Sequence, residues 1–231
     1  MQNLHTTSTP AKSSLHPGPV AARVLPFITY VVFMVLEDPL KPYIDPTVFY
    51  GLQIGVTVLL LAWGWQAYSE LNRAPRLLSF NLLWASLVGV LVYFAWINLD
   101  ADWMRFGEGR EITATLSGDN ATWPSLLLRA IGAVLVVPLM EELFWRSFLL
   151  RWIDRPRFYT LPPTSISWRA VIIGAALFGA EHDLWLAGIV AGIAFGALYR
   201  RTGSLWTVVA AHALTNALLE NWWGRGSWPF I

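Results

Sequence analysis

Long apolar runs, separated by short polar stretches, dominate the pattern of residues along this chain. Seven of the runs predict membrane-spanning helices, since roughly 20 apolar residues cross a hydrocarbon core of about 30 Å. They cover residues 20–36, 48–68, 81–99, 125–150, 170–181, 184–199 and 204–219. The fifth and sixth runs are short and almost joined, and an eighth, re-entrant element would fit between Pro39 and Val48.

This pattern predicts an all-α, polytopic membrane protein with seven or eight helices around a polar cavity inside the membrane. The composition agrees, because hydrophobic residues make up 55% of the chain and charged residues only 13%, against about a quarter charged in soluble domains. Residues 1–19 are polar and rich in Ser, Thr and Pro, so we expect a disordered cytoplasmic tail. Residues 20–231 then form a single transmembrane domain.

Positive charges alternate between the connections of the predicted helices. If the N-terminus is inside, the inner segments hold Lys12, Arg23, Arg73, Arg76, Arg151, Arg155, Arg157, Arg169, Arg200 and Arg201. The outer segments hold Lys41, Arg105, Arg110 and Arg225. By the positive-inside rule, the N-terminus is cytoplasmic and the C-terminus is outside. The net charge of +1, with no basic stripe, argues against a nucleic-acid partner.

A few polar residues interrupt the apolar runs of the second half of the chain. Placing a charge at the centre of a bilayer costs about 2.5 kcal/mol or more, so such residues are functional hypotheses. Those of interest are Glu141, Glu142, Arg146, His182, His212 and Asn216. The sixth run also carries Gly188, Gly192 and Gly196 at four-residue spacing, which predicts close packing between helices.

Helix geometry assigns different roles to the two neighbouring glutamates. Glu142 and Arg146 are four residues apart, acid first, which favours an ion pair on one helix face. Glu141 points about 100° away and has no such partner on its helix, so it is a candidate general base. The alternative is that all three side chains reach a cytoplasmic interface and play no part in chemistry.

The two histidines of the apolar runs each share a helix face with another residue. His182 follows Phe178 by four residues, and His212 precedes Asn216 by four. His212 and Asn216 together could donate hydrogen bonds to an oxyanion, while Glu141 and His182 could activate water. Glu141, His182 and His212 also match the ligand types of a zinc hydrolase. The chain has neither an H-E-x-x-H helix nor a G-x-S-x-G turn, which excludes zincin and serine-hydrolase arrangements.

The ordered set E-E-x-x-x-R, F-x-x-x-H and H-x-x-x-N resembles the CAAX protease and bacteriocin-processing family of intramembrane endopeptidases, also called the CPBP or Abi family. The resemblance covers roughly Leu126 to Leu219 and implies a catalytic core over residues 125–219. It implies that Glu141 and His182 activate water, and that His212 and Asn216 hold the oxyanion or complete a zinc site. It leaves Glu142 and Arg146 as a structural ion pair, with Phe178 in the wall of the site.

The whole chain is also similar to the exosortase-associated branch of CAAX prenyl protease-related proteins, which implies a bacterial inner (plasma) membrane and a link to envelope-protein processing. We therefore expect an intramembrane endopeptidase, acting on a membrane-embedded or membrane-proximal peptide, with its cavity between the midplane and the cytoplasmic face. The alternative from another functional class is a catalytically silent membrane scaffold that acts on a processing partner. A proton relay or transporter and haem ligation by the two histidines are further alternatives.

Overall fold

The computed structural model describes residues 17–71, 79–106 and 122–223, and this part of the chain contains helices and no strands. The predicted tail falls mostly on residues 1–16, which lie outside the described residues. Seven helices follow one another: α1 (Pro19–Leu40), α2 (Pro46–Gly64), α3 (Ser79–Asn98), α4 (residues 123–154), α5 (Trp168–Ala180), α6 (Trp185–Thr202) and α7 (Leu205–Trp223). Each coincides with one predicted apolar run, so the all-α class is confirmed.

The eighth, re-entrant element does not form. Helix α1 continues to Leu40, and residues 41–44 make a turn that leads directly into α2. Asp45 caps α2, because its carboxylate accepts hydrogen bonds from the backbone N–H groups of Thr47 and Val48. Pro46 at the first helical position has no N–H to satisfy. A capped helix start leaves no room for a further element before Val48.

Three helical segments are long and apolar enough to cross a membrane by length and composition: Pro19–Leu40, Pro46–Ala67 and Phe80–Asn98. Their outer faces expose large apolar side chains, among them Val35 (64% exposed), Leu59 (70%) and Leu83 (64%). Such faces suit contact with lipid acyl chains rather than water. The molecule is a polytopic membrane protein, in agreement with the composition.

Helix α4 alternates between α-helical and wider π-helical geometry. Its segments are Trp123–Ile131, the π-helical Gly132–Val136, Val137–Glu142, the π-helical Leu143–Leu149, and Leu150–Asp154. π-Helical turns are rare and occur mostly at functional sites. Here they flank the six-residue α-helical segment that contains both Glu141 and Glu142.

Helices α5 and α6 pack closely through glycines, as the four-residue spacing predicts. A Cβ atom added to Gly188 would lie 2.8 Å from Cα of Gly179, and one added to Gly192 would lie 2.7 Å from Cα of Ala175. Since backbone atoms cannot move aside locally, only glycine permits this approach. The contact holds the start of α6 against the end of α5, where His182 follows.

A buried ionic cluster ties α1, the segment after α2 and α4 together at the end of the molecule where α1 begins. Arg23, only 1% exposed, donates hydrogen bonds to both carboxylate oxygens of Glu70, at 2.7 and 2.8 Å, and to the hydroxyl of Ser147. The Ser147 hydroxyl itself donates to Glu70. Ser147 belongs to the second π-helical segment, so this cluster supports the segment that carries Arg146.

Candidate active site

A cavity of about 120 Å³ opens among the seven helices. About 10–15 Å³ suffices for one water molecule, so several waters fit. All seven helices contribute to its wall, and Glu141, His182, His212, Asn216 and Phe178 all line it. Three separate parts of the chain, α4, the end of α5 and α7, thus bring the predicted site residues to one cavity.

Glu142 lies at the centre of the polar cluster and is fully buried, with 0% exposure. One carboxylate oxygen accepts a hydrogen bond from Nδ1 of His212 at 2.8 Å, and the other lies 3.2 Å from Nε of Arg146. The predicted ion pair with Arg146 is therefore present. The contact with His212 was not predicted, because it joins α4 to α7 across 70 residues of sequence.

Aromatic rings surround the guanidinium group of Arg146. Its Cζ lies 4.5 Å from the ring centroid of Phe178 and 5.3 Å from that of Phe195. The Phe195 ring also stacks on His212, with centroids 5.0 Å apart. Cation–π contacts are strongest away from water, so these rings hold a buried charge that Glu142 balances. Phe178 lines the cavity as the resemblance implies.

Glu141, unlike its neighbour Glu142, lines the cavity. It is 3% exposed, and its Oε2 atom has no hydrogen-bond partner among the described residues. The nearest basic group is Nε2 of His212, 4.0 Å from Oε2. That separation is too long for a direct hydrogen bond but suits one bridging water. The arrangement can therefore hold a water between a carboxylate and an imidazole.

His182 is fixed in one orientation at the end of α5. Its Nδ1 donates a hydrogen bond to the backbone carbonyl of Phe178 at 2.7 Å, which leaves Nε2 as the acceptor. Two aromatic rings pack against the imidazole of His182: the ring centroid of Phe178 lies 4.5 Å from that of His182, and the centroid of Trp96 lies 5.3 Å away. His182 therefore presents a neutral, oriented imidazole to the cavity.

Asn216 lines the cavity one turn beyond His212 and contacts α4. Its amide nitrogen donates a hydrogen bond to the carbonyl of Ala133 at 2.8 Å. Ala133 belongs to the first π-helical segment, whose altered geometry makes such a carbonyl available. One amide hydrogen is thereby occupied, and the second remains for a ligand in the cavity.

The first three helices supply cavity residues that the motif-based prediction missed. Tyr30 comes from α1, Gln53 from α2 and Trp96 from α3. Arg129 and Glu220, near the start of α4 and the end of α7, also line the cavity and form an ion pair at 3.1 Å. Arg129 and Glu220 are ionisable residues near the ends of apolar runs, which is the signal that would have indicated them.

The polar lining of the cavity extends from the motif residues toward one end of the molecule. It reaches Glu37, Arg129 and Glu220, at the end where α1 and α7 finish and α4 begins. The exposed arginines Arg155 and Arg157 lie at the opposite end, after α4. A cavity between the midplane and the cytoplasmic face stays a prediction, because its depth depends on how the helices are placed relative to the bilayer.

The predicted zinc ligands do not form a compact set. Within the described ranges, no three His, Asp or Glu side chains are placed to hold a metal ion. Nδ1 of His182 and Nδ1 of His212 are each engaged by protein acceptors, as is common for zinc ligands. Glu141 lies 4.0 Å from Nε2 of His212. Zinc at these residues stays a prediction for direct measurement.

Residues 123–218 match the family model described as type II CAAX prenyl endopeptidase Rce1-like. This segment is similar to the CAAX proteases, and we refer to it as the CAAX-protease-like domain. The match covers α4, α5, α6 and most of α7 with all seven motif residues from Glu141 to Asn216, and it confirms the resemblance to the CAAX protease and bacteriocin-processing family. It leaves the exosortase-associated branch untested. No curated protein and no solved structure matches the chain.

The CAAX-protease-like domain occupies under half of the 231 residues, and α1 to α3 lie outside the match. Those three helices nevertheless line the cavity with the motif residues. The family match and the cavity together support a protease-like enzyme of the membrane. They leave the catalytic mechanism open.

Proposed function

We propose that this protein is an intramembrane endopeptidase in which Glu141 activates a water molecule against a peptide bond. The observation that carries the proposal is the 4.0 Å gap between Oε2 of Glu141 and Nε2 of His212, inside a cavity large enough for water. Oε2 of Glu141 has no hydrogen-bond partner in the described part of the chain. A buried carboxylate oxygen without a partner destabilises the fold, so its presence favours a functional role.

In the first step, the water oxygen attacks the carbonyl carbon of the substrate while Glu141 takes one proton. The bare Nε2 of His182 is a second acceptor that orients the water or shares its proton. The C=O bond opens to a tetrahedral oxyanion. In the second step, the C–N bond breaks and the proton held by Glu141 passes to the leaving nitrogen, which gives a carboxylic acid and an amine.

The oxyanion would be stabilised by donors from α7. The second amide hydrogen of Asn216 is one donor. His212 can donate from Nε2 only when both ring nitrogens carry protons, since Nδ1 already donates to Glu142. Glu142 and Arg146 thus position His212 without touching the substrate themselves.

Zinc at Glu141, His182 and His212 stays a separate prediction, and no step of this mechanism is assigned to it. The measurement is the metal content of detergent-purified protein, for the unchanged chain and for His182→Ala and Glu141→Gln. Near-stoichiometric zinc that is lost in His182→Ala would support the metal-assisted form. Cleavage that persists in a chelator, by protein free of metal, would contradict it.

The proposed substrate is a membrane-embedded or membrane-proximal protein segment, and a link to exosortase-type processing would follow from the branch resemblance. A catalytically silent scaffold of the same fold is the second candidate. The scaffold candidate is supported by the contacts of Glu142 and Arg146, which hold α4, α6 and α7 together. A scaffold would keep its cellular effect when Glu141 is replaced.

The deciding experiment compares the unchanged chain with Glu141→Gln in cleavage of transmembrane reporter peptides in proteoliposomes. Glutamine keeps the size of the side chain but cannot accept a proton, so we expect cleavage to fall by about 10²–10⁴-fold or more. Thermal stability in detergent is the control and should be nearly unchanged. If Glu141→Gln retains cleavage, Glu141 does not act as the base.

A further inference from the structure

The two ends of the molecule differ in charge, and only one of them leads to the cavity. Described arginines cluster at the end where α1 begins, α4 finishes and α6 meets α7: Arg155, Arg157, Arg169, Arg200 and Arg201. Basic residues are fewer at the opposite end, where Lys41 and Arg105 lie beside Asp38, Asp45, Asp100 and Asp102. Positive residues stay in the cytoplasm during insertion, so the arginine-rich end faces the cytoplasm.

From the middle of the bundle, where Glu141, Phe195 and His212 lie, the cavity lining extends toward the opposite, acidic end. The lining residues come from the last three turns of α1, the first turns of α2 and the last turns of α3, including Glu37, Tyr50 and Trp96. From the CAAX-protease-like domain they include Arg129 near the start of α4 and Glu220 near the end of α7. No described arginine of the cytoplasmic end lines the cavity.

The cytoplasmic end is closed by the buried cluster of Arg23, Glu70 and Ser147. Arg151 adds to this closure by donating hydrogen bonds to the carbonyls of Leu161 and Ser147. The side chains of Arg23 and Arg151 are 1% and 7% exposed, and both lie over the ring of Phe158. A substrate entering from that side would have to break this packed layer.

We infer that the active-site cavity opens to the extracytoplasmic side of the membrane. The substrate class is then the membrane-anchored or membrane-proximal segment of a protein that has already been translocated, whose scissile bond reaches Glu141 and His212 through the outer end of the cavity. The substrate class rests on the proposed peptidase function. The direction of the cavity itself does not depend on any catalytic activity.

Thiol labelling tests the direction, because the chain has no cysteine of its own. We would make Tyr43→Cys in the turn between α1 and α2 and Tyr159→Cys in the loop after α4, positions that are 83% and 54% exposed. Intact cells would be treated with a membrane-impermeant maleimide. We expect labelling of Tyr43→Cys at once and of Tyr159→Cys only after permeabilisation. The reverse pattern, or equal labelling in sealed cells, would overturn the inference.

Two neighbouring residues of α1 give a matched pair for the cavity. Met34 lines the cavity, whereas Val35 is 64% exposed on the outer face of the same helix turn. A small, charged methanethiosulfonate added outside should modify Met34→Cys at least tenfold faster than Val35→Cys, because only the first thiol is in water. Modification of Met34→Cys only in inside-out vesicles would overturn the inference.

The same pair separates this inference from the proposed function. If the protein cleaves a reporter, external reagent should reduce cleavage by Met34→Cys and leave Val35→Cys unaffected. If neither variant nor the unchanged chain cleaves anything, yet Met34→Cys reacts from outside, the peptidase proposal fails and the direction of the cavity stands. If cleavage occurs and Met34→Cys reacts only from the cytoplasmic side, the direction fails and the peptidase stands.

Discussion

Glu141 and Glu142 are neighbours in sequence, but the structure gives them different environments. Glu142 makes two polar contacts, to Arg146 and to His212, and has no exposed surface. Glu141 faces a cavity with one oxygen left without a partner. Because a helix turns by about 100° per residue, adjacent positions can serve an internal ion pair and an open site at once.

Replacing Glu142 by glutamine should reduce stability and activity together. The change leaves the charge of Arg146 buried without its partner, which typically costs about 3–5 kcal/mol. It also changes the acceptor that orients His212. We expect a clear fall in melting temperature in detergent together with loss of cleavage, whereas Glu141→Gln should lose cleavage alone. Equal stability of the two variants would contradict this division of roles.

The helices adjust locally to place these residues, and α4 does so most. Its two π-helical segments border the short stretch with the glutamates, and each contacts another element through a polar group. Asn216 of α7 binds the first segment at Ala133, and the Arg23 cluster binds the second at Ser147. The local geometry of α4 is therefore held from outside the helix.

The Glu70 cluster should make stability depend on pH. Burial alone would raise the pKa of Glu70, but the hydrogen bonds and charge of Arg23 outweigh it and the pKa lies below the ordinary value of 4.5. A lowered folded-state pKa contributes stability that is present above 4.5 and is lost as the pH falls through the folded value. Melting temperatures measured from pH 7 downward should show this loss, and Glu70→Gln should have a lower melting temperature at pH 7 and a flatter profile.

The α5–α6 contact should not tolerate side chains at its glycines. In Gly192→Leu, the new atoms would begin 2.7 Å from Cα of Ala175, so the helices must separate at a cost of about 1–3 kcal/mol or more. His182 follows α5, so cleavage should fall as well. Gly55→Leu on α2 is the matched control, because a Cβ there meets nothing within 4 Å. Similar melting temperatures for the two variants would argue against tight packing.

At the scale of the whole molecule, the CAAX-protease-like domain does not form its cavity alone. Helices α1 to α3 lie outside the family match and supply Tyr30, Gln53 and Trp96 to the wall. Thr215 of α7 donates a hydrogen bond to the carbonyl of Gly89 on α3, which joins the two parts of the chain beside the site.

A chain divided between residues 114 and 115 should therefore work only as two fragments together. We expect the C-terminal fragment alone to be inactive and poorly stable in detergent, because its cavity side would face lipid. Co-expression with the N-terminal fragment should restore a complex that co-purifies and cleaves a reporter. An active C-terminal fragment on its own would show that α1 to α3 are dispensable.

The sequence by itself determined the all-helical membrane class and the seven helices, and it indicated polar residues that line one cavity. Apolar runs of membrane length are local signals. Polar residues inside such runs are also local signals, because they are costly in a membrane. Both can be recognised without knowing which residues they contact. The pairing of Glu142 with Arg146 was equally local, since the two lie four residues apart. The site roles of Glu141, His182, His212 and Asn216 remain predictions.

Only the tertiary structure decided which end of the bundle the cavity reaches and which distant groups meet. The contacts of Glu142 with His212, of Asn216 with Ala133 and of Arg23 with Glu70 join residues 70, 83 and 47 positions apart. Helix stagger and packing set these contacts, and neither leaves a periodic signal in the sequence. Hence the sequence indicated the chemical groups of the site. The packing of the helices decided which residues contact these groups and which end of the bundle the cavity reaches.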